Sequence, residues 1–283
     1  MKQILMSEKC GFCMGVKNAF TKSLSCSDTM QNLCCYGEIV HNQFALQQLT
    51  DRNITVENDI DRIIANSSIE NVIIRAHGIP PQEEQRLRQT KNVIDLTCPN
   101  VKKVQNLAKS LAEQDVFIII LGKANHPEVK GICGYCEDHH IVVRNLAELE
   151  VHIDSLHNCA KLAFISQTTA NYKDFDSIAE YLTSHYPNVE IHRTLCFAPI
   201  AIQNASVALA KNVDLMIIIG DRQSANTTTL YNLCSEHCRT VFAETPADLS
   251  DIDWNGIERI GISAGSSTPE SQIMTIREYL NML

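Results

Sequence analysis

The sequence predicts an α/β protein made of three similar units, each containing a mostly parallel sheet. Two observations predict this fold. Short apolar runs rich in β-branched residues alternate with segments of helical periodicity, and one local pattern recurs three times along the 283 residues. Runs of this kind are typical of parallel strands that helices cover on both faces. A chain of this length also suits two or three compact units better than one core.

The recurring pattern is a cysteine at a turn, followed by a helix. It occurs at Cys13, Cys98 and Cys196, roughly a third of the chain apart, and predicts helices over residues 15–25, 100–114 and 199–211. We therefore expect units at residues 1–97, 98–195 and 196–283, with residues 1–13 completing the third. A pseudo-threefold arrangement of these units would bring the three cysteines together on its axis.

Strands are predicted at residues 72–75, 116–121, 162–166, 215–219 and 259–263. These strands, and the run Cys35–Tyr36, lead into polar loops. Ligands of α/β folds bind at the carboxyl ends of parallel strands, so we expect the loops to converge. The loops are Gly37…His41-Asn42, Ala76-His77-Gly78, Gly122…His126-Pro127-Glu128, Gln167-Thr168-Thr169, Gly220…Ser224-Ala225-Asn226 and Ala264-Gly265-Ser266-Ser267.

Composition excludes several classes of function. The net charge is −9 and no basic run is present, which disfavours nucleic acid as a partner. No apolar run approaches the roughly 20 residues of a membrane span, and the first residues resemble neither a signal nor a transit peptide. We therefore expect a cytoplasmic protein, in which the twelve cysteines are thiols or metal ligands rather than disulfides.

Three thiolates suit a catalytic [4Fe–4S] cluster. Such a cube normally takes four thiolates, so three leave one iron open to substrate. The alternative is that Cys13, Cys98 and Cys196 lie in separate cores, since they form no local motif. Cys133 and Cys136 have the spacing of a redox or zinc pair, but packing is the favoured interpretation for them. Burial in the core is expected for six others: Cys26, Cys34, Cys35, Cys159, Cys234 and Cys238. Cys10, three residues before Cys13, is expected near the cluster as an alternative ligand or a resolving thiol.

The loops offer imidazoles, hydroxyls and an amide, which are the groups that a diphosphate binds. Thr268-Pro269-Glu270 predicts a capped helix start, with Ser266 and Ser267 just before its positive end. The alternative is that these hydroxyls only cap helices. Glu128 can deliver a proton to a leaving hydroxyl beside an open iron; the alternative is an ordinary surface glutamate.

At these positions the chain resembles the 4-hydroxy-3-methylbut-2-enyl diphosphate reductase family of the non-mevalonate isoprenoid pathway. Short matches occur in order through nearly the whole chain. They are Gly11-Phe12-Cys13, Val40-His41-Asn42, Arg75-Ala76-His77-Gly78, Asp95…Thr97-Cys98-Pro99, Asn125-His126-Pro127-Glu128-Val129, Gln167-Thr168-Thr169, Cys196, Ser224…Asn226 and Ala264-Gly265…Ser267…Pro269.

The resemblance implies a role for each loop. The cluster ligands would be Cys13, Cys98 and Cys196, and the catalytic group would be Glu128, Thr168 and His126. The substrate would be held by His41, His77, His126, Thr168, Ser224, Asn226 and Ser267. The reaction would be a reductive dehydration of the allylic diphosphate to isopentenyl and dimethylallyl diphosphate, fed with electrons by a ferredoxin or flavodoxin.

The chain departs from the family pattern in its last third. Ala225 replaces a serine, and a basic residue is missing from Thr227-Thr228-Thr229. The family usually follows the third cysteine with a threonine and a polar, arginine-containing stretch; here that stretch is Phe197-Ala198-Pro199-Ile200-Ala201-Ile202-Gln203. These departures leave two alternatives open. One is a diverged family member with a [4Fe–4S] cluster and another small phosphate or diphosphate ester as substrate. The other is a non-catalytic module that binds zinc or a phosphate.

Overall fold

The computed structural model describes residues 2–40, 42–156 and 159–282. Strands and helices alternate along these residues. The strands are β1 (Gln3–Met6), β2 (Leu33–Tyr36), β3 (Thr55–Glu57), β4 (Asn71–Ile74), β5 (Asn92–Asp95), β6 (Phe117–Leu121), β7 (His140–Val143), β8 (Leu162–Ser166), β9 (Glu190–Ile191), β10 (Leu215–Ile219), β11 (Arg239–Ala243) and β12 (Arg259–Ala264).

The helices follow the strands as the α/β pattern predicts. They are α1 (Met14–Ser27), α2 (Gln43–Thr50), α3 (Ile60–Ala65), α4 (Pro81–Arg88), α5 (Pro99–Ala112), α6 (Pro127–Cys133), α7 (Leu146–Glu150), α8 (Ile153–Leu156), α9 (Tyr172–His185), α10 (Phe197–Ala210), α11 (Ala225–Ser235) and α12 (Glu270–Asn281), with a 3₁₀ turn at Pro246–Leu249. No helix among the described residues is long and apolar enough to cross a membrane.

The strands form three four-stranded sheets, ordered β1-β12-β10-β11, β3-β2-β4-β5 and β7-β6-β8-β9. The strand pairs whose register the structure describes are parallel. The predicted α/β class with parallel sheets is therefore confirmed. Each of the five predicted strands is present, at β4, β6, β8, β10 and β12.

The central strands explain why the apolar runs are uninterrupted. In β10 the side chains of Leu215, Ile217 and Ile219 pack into one cluster, and those of Met216 and Ile218 pack into another. Successive side chains of a strand point to opposite faces, so both faces of this sheet are covered. Burying each such side chain contributes about 1.5–3 kcal/mol, which holds the carboxyl end of the strand, and the loop after it, in place.

The chain divides into two compact units. The first comprises residues 1–30, 38–55 and 197–283, and it contains the sheet β1-β12-β10-β11. The second comprises residues 31–37 and 56–196, and it contains the sheet β7-β6-β8-β9 together with strands β2, β4 and β5. The three-unit division at residues 97 and 195 stays a prediction.

Candidate functional site

Two of the predicted ligand cysteines share a hydrogen-bonded neighbourhood in the second unit. The Cys98 N–H donates to the carbonyl oxygen of Ala76 at 2.9 Å, which fixes the turn before α5 against the end of β4. Asn100, in the first turn of α5, donates from Nδ2 to the Cys196 sulfur at 3.5 Å. The loops of Cys98 and Cys196 are thereby joined through one amide. Asn100 was not predicted as a site residue; the available signal was its place two residues after Cys98.

Cys13 is held in the first unit by the loop that follows β12. Its N–H donates to the Ser266 carbonyl oxygen at 3.3 Å, and the Phe12 N–H donates to the Thr268 carbonyl oxygen at 2.9 Å. Gly11 makes the turn possible, because its φ of +72° is a conformation that side-chain-bearing residues rarely adopt. The Cys13 thiol is only partly exposed.

The three cysteines share a place at the start of a helix. Cys13 and Cys98 are the N-cap residues of α1 and α5, and Cys196 directly precedes α10. Cysteine sulfur is the usual protein ligand of iron–sulfur clusters. The side-chain chemistry of the three residues therefore fits a cluster. No three His, Cys, Asp or Glu side chains in the described part of the chain are grouped to hold a single metal ion; a cluster binds each thiolate through a different iron.

Glu128 is buried and doubly hydrogen-bonded. It lies in the first turn of α6 with 1% of its surface exposed. Its Oε1 accepts the Thr168 N–H at 2.6 Å, and its Oε2 accepts the Thr168 hydroxyl at 2.9 Å. Burial raises the pKa of Glu128 to about 7, against the two hydrogen bonds, which lower it. The interpretation of Glu128 as a surface glutamate is therefore wrong, and its carboxyl can exchange a proton at neutral pH.

Two predicted histidines lie beside each other at the start of α6. The rings of His77 and His126 meet edge to face, with their centroids 5.3 Å apart. His126 caps the helix, because its Nδ1 accepts the Glu128 N–H at 3.1 Å. In the neutral ring Nε2 then carries the proton and is the donor. The second unit thus brings His77, His126, Glu128 and Thr168 to one region.

The predicted hydroxyls and amide of the first unit also lie together. Ser224 Oγ is 3.0 Å from Ser267 Oγ, and Asn226 Nδ2 donates to Ser266 Oγ at 3.1 Å. Ser224 is the N-cap residue of α11 but makes no side-chain cap. Its hydroxyl is therefore not used for capping, contrary to the alternative interpretation. Ser266 was predicted only as a neighbour of this group.

In the first unit, one predicted helix cap is wrong and one predicted substrate-binding histidine lies outside the described residues. The prediction that Thr268 caps α12 is wrong. Pro269 is the N-cap residue, and the Thr268 hydroxyl donates instead to the Ile219 carbonyl oxygen, at the end of β10. His41 lies outside the described residues, as does the side chain of Ala225. Next to His41, the buried Asn42 donates from Nδ2 to Gln272 Oε1 at 3.0 Å.

The remaining cysteines are mostly packing residues. Burial raises the pKa of Cys133 to about 11 and that of Cys136 to about 12, and the Cys136 thiol donates to the Ile132 carbonyl oxygen. Both thiols are therefore poor metal ligands at neutral pH. The predicted burial holds for Cys34, Cys35 and Cys234. It is wrong for three cysteines, which are partly exposed: Cys26, Cys159 and Cys238.

Comparison with known proteins identifies the family of this chain. The sequence profile of the LytB protein family matches residues 4–281. The chain belongs to the LytB family. The resemblance inferred from the loop motifs is therefore confirmed, and it extends over the whole length of this LytB chain.

Several relatives and solved structures similar to this LytB chain are named as diphosphate reductases. The 4-hydroxy-3-methylbut-2-enyl diphosphate reductase of a Nitratiruptor species is 34% identical, over 99% of both chains. The protein of the same name from Helicobacter pylori is 33% identical, over 99% of this chain and 100% of the relative. A structure of (E)-4-hydroxy-3-methyl-but-2-enyl diphosphate reductase, described as the terminal enzyme of the non-mevalonate pathway, aligns with a TM-score of 0.80 at 32% identity, covering 100% of each chain. The Plasmodium falciparum reductase aligns with a TM-score of 0.81 at 25% identity, covering 100% of this chain and 88% of that one.

Proposed function

We propose that this LytB chain is a 4-hydroxy-3-methylbut-2-enyl diphosphate reductase, which forms isopentenyl and dimethylallyl diphosphate in the last step of the non-mevalonate pathway. The observation that carries the proposal is the buried Glu128–Thr168 pair. A carboxyl with a pKa of about 7 can give a proton to a leaving hydroxyl. The same Thr168 accepts the Cys196 N–H on its carbonyl oxygen at 2.7 Å, which ties the acid to a predicted ligand loop.

In this proposal Cys13, Cys98 and Cys196 hold a [4Fe–4S] cluster with one iron free of protein ligands. When bound, the cluster supplies single electrons and a Lewis-acidic site for the substrate hydroxyl. The Asn100 amide that donates to the Cys196 sulfur supports this assignment.

The diphosphate is assigned to the remaining predicted residues. His77, His126, Ser224, Asn226 and Ser267 supply imidazole, hydroxyl and amide donors, together with His41. Support comes from their local geometry, since His77 touches His126 and Ser224 lies 3.0 Å from Ser267. None of these groups carries a permanent positive charge. Binding would then rest on hydrogen bonds.

The reaction breaks the allylic C–O bond and releases the oxygen as water. The reaction takes up two electrons and two protons. They form one new C–H bond in the product and one new O–H bond in the water. Glu128 donates the proton that the leaving oxygen takes. The Thr168 N–H and hydroxyl hold the carboxylate that remains until it is reprotonated. An external one-electron carrier such as a ferredoxin or flavodoxin supplies the electrons.

A second candidate is a diverged family member with another small phosphate or diphosphate ester as substrate. The observation that favours it is a small cavity beside Asn226 and Ser266 whose wall includes Pro199 and Ile202. Apart from Gln203, the described residues of this wall provide no side-chain hydrogen bond beside the predicted phosphate donors. A less charged ester would lose fewer hydrogen bonds at such a wall than a diphosphate would.

Anaerobic turnover with a strong one-electron donor separates these functions. We expect iron-dependent conversion of the allylic diphosphate, abolished in Glu128→Gln with the cluster spectrum retained. Turnover of other allylic phosphates but not of this diphosphate would favour the diverged member. A colourless protein that contains zinc would favour the non-catalytic module. The exposed variant Glu113→Gln is the matched control, because it makes the same chemical change far from the loops in sequence and at the protein surface.

A further inference from the structure

A buried glutamine in the second unit has no assigned role in the reaction. Gln105 lies on α5, the helix that begins after Cys98, and only 1% of its surface is exposed. Its Nε2 has no hydrogen-bond partner among the described residues. An unpaired amide in a core costs free energy, since its hydrogen bonds to water are lost and not replaced. Because Nε2 makes no hydrogen bond within the described part of the chain, what it contributes at this position is the space that it fills.

The amide of Gln105 lies between two glycines that belong to different parts of the site. A Cβ built on Gly78, the residue after His77, would be 2.5 Å from Gln105 Nε2. A Cβ built on Gly131, one helical turn after Glu128, would be 2.9 Å from the same nitrogen. Both glycines therefore leave room for the amide, which separates the His77 loop from helix α6.

Helix α6 rests directly on the chain that follows His77. At Gly131 the nearest atoms after the amide are backbone atoms of Ile79, 3.5 and 3.6 Å from a built Cβ. One turn later, a Cβ on Gly134 would be 2.8 Å from Pro80. Because residues 131 and 134 on this face are glycines, no Cβ separates α6 from the loop at these two positions. The Gln105 amide occupies the space at Gly131, the glycine nearer Glu128.

We propose that Gln105 is a positioning residue for the reaction: its amide sets the spacing between the His77 loop and α6, and so holds Glu128 in hydrogen-bonding register with Thr168. The inference rests on the proposed function in one respect, that Glu128 is the acid. Gln105 touches neither the substrate nor Glu128 in this proposal. It acts as a wedge between Gly78 and Gly131, on the side of α6 nearer Glu128, whereas Gly134 rests directly on Pro80.

The first test compares Gln105→Ala with Gln105→Met in the cluster-containing enzyme. Alanine removes the spacer, and we expect kcat to fall at least about tenfold with little change in KM, since small misplacements of a catalytic group are costly. Methionine keeps a side chain of similar length and should retain most of the activity. Gln114→Ala is the matched control, because it removes the amide of an exposed glutamine just beyond α5.

A second readout detects misplacement without turnover. The Glu128–Thr168 hydrogen bonds stabilise the carboxylate, so loosening them raises the pKa of Glu128. The infrared carboxyl band of Glu128, identified by its loss in Glu128→Gln, should titrate at higher pH in Gln105→Ala than in the wild type. It should titrate at the wild-type pH in Gln105→Met. A change in overall stability alone would not move this band.

A third variant keeps the proposal open to refutation if Gln105→Ala does not fold. Gly131→Ala places a methyl group where it meets Gln105 Nε2, while its contacts with Ile79 stay ordinary. We expect it to lower kcat with Gln105 present and to restore part of the kcat lost in Gln105→Ala.

Two results would overturn the inference and leave the proposed function standing. One is an unchanged kcat and carboxyl titration in Gln105→Ala. The other is a loss in Gln105→Met as large as that in Gln105→Ala, because spacing would then not be what the amide provides. Full turnover by Glu128→Gln would instead refute the acid, and with it the proposed mechanism.

Discussion

Replacing Glu128 by Gln tests the proposed acid without activity as the only readout. The change removes the ionisable proton and keeps the size of the side chain. Gln can also accept the Thr168 N–H on its amide oxygen and donate to the Thr168 hydroxyl from its amide nitrogen. Any difference between the two proteins that depends on pH therefore reports the titration of Glu128.

The magnitude follows from the pKa in the folded state. Burial raises that pKa from 4.5 to about 7, so the folded protein keeps a proton that the unfolded chain loses between these values. A rise of pH through this window therefore lowers the free energy of unfolding of the wild type. At about 1.36 kcal/mol for each pKa unit, the full loss is about 3 kcal/mol and is complete above pH 7.

Urea unfolding of both proteins from about pH 4 to pH 8 measures this difference. Across that range, we expect the free energy of unfolding of Glu128→Gln to rise by about 3 kcal/mol relative to that of the wild type. Turnover by Glu128→Gln should fall by about 10²- to 10⁴-fold. A stability difference that stays flat with pH would refute the reasoning. Glu128 would then be ionised at neutral pH and would have no proton to give.

Four further predictions concern single residues. Wild-type kcat should fall as pH rises above about 7. In Thr168→Val this fall should occur about one pH unit higher, because a hydrogen bond that stabilises the carboxylate of Glu128 is lost. A fall at the wild-type pH in the kcat profile of Thr168→Val would contradict this. Ala225→Ser should lower KM by about tenfold if the missing hydroxyl binds the diphosphate, and an equal KM would remove it from the site. Cys133→Ser should retain nearly all bound iron by metal analysis, so a large loss would show that this cysteine is a ligand. Cys196→Ser should lose most of its iron, and full retention would remove Cys196 from the cluster.

The sequence predicts the sheets well because parallel strands impose one strong requirement. A strand covered on both faces must be apolar at every position, and β10 (Leu215–Ile219) is buried throughout. The sequence predicts helix α5 equally well, because a set of its apolar residues recurs at helical spacing and is buried. These residues are Val101, Val104, Ala108 and Leu111. Periodicity records what each element buries, so it identifies the elements and the loops between them.

The wrong predictions concern hydrogen-bond partners that periodicity does not record. Thr268-Pro269-Glu270 has the pattern of a capped helix, yet the Thr268 hydroxyl is taken by a carbonyl oxygen 49 residues away in sequence. The burial of Glu128 and its pairing with Thr168 depend on two loops that meet only in the folded protein. Gln105 gave no signal, because a glutamine on a helix is usually exposed.

Thr168 connects the proposed acid, Glu128, with the loop of Cys196, a predicted cluster ligand. Burial alone would keep Glu128 protonated, and such a group could not release its proton. Hydrogen bonds alone would keep it ionised, with no proton to release. Thr168 supplies two donors to the carboxylate, which partly oppose burial and leave the pKa at about 7. Since the Thr168 carbonyl oxygen also binds the Cys196 N–H, a shift of this loop moves the donors of Glu128 and the backbone of Cys196 together. A substitution that displaces the loop should therefore change the pH dependence of turnover and the retention of iron in parallel.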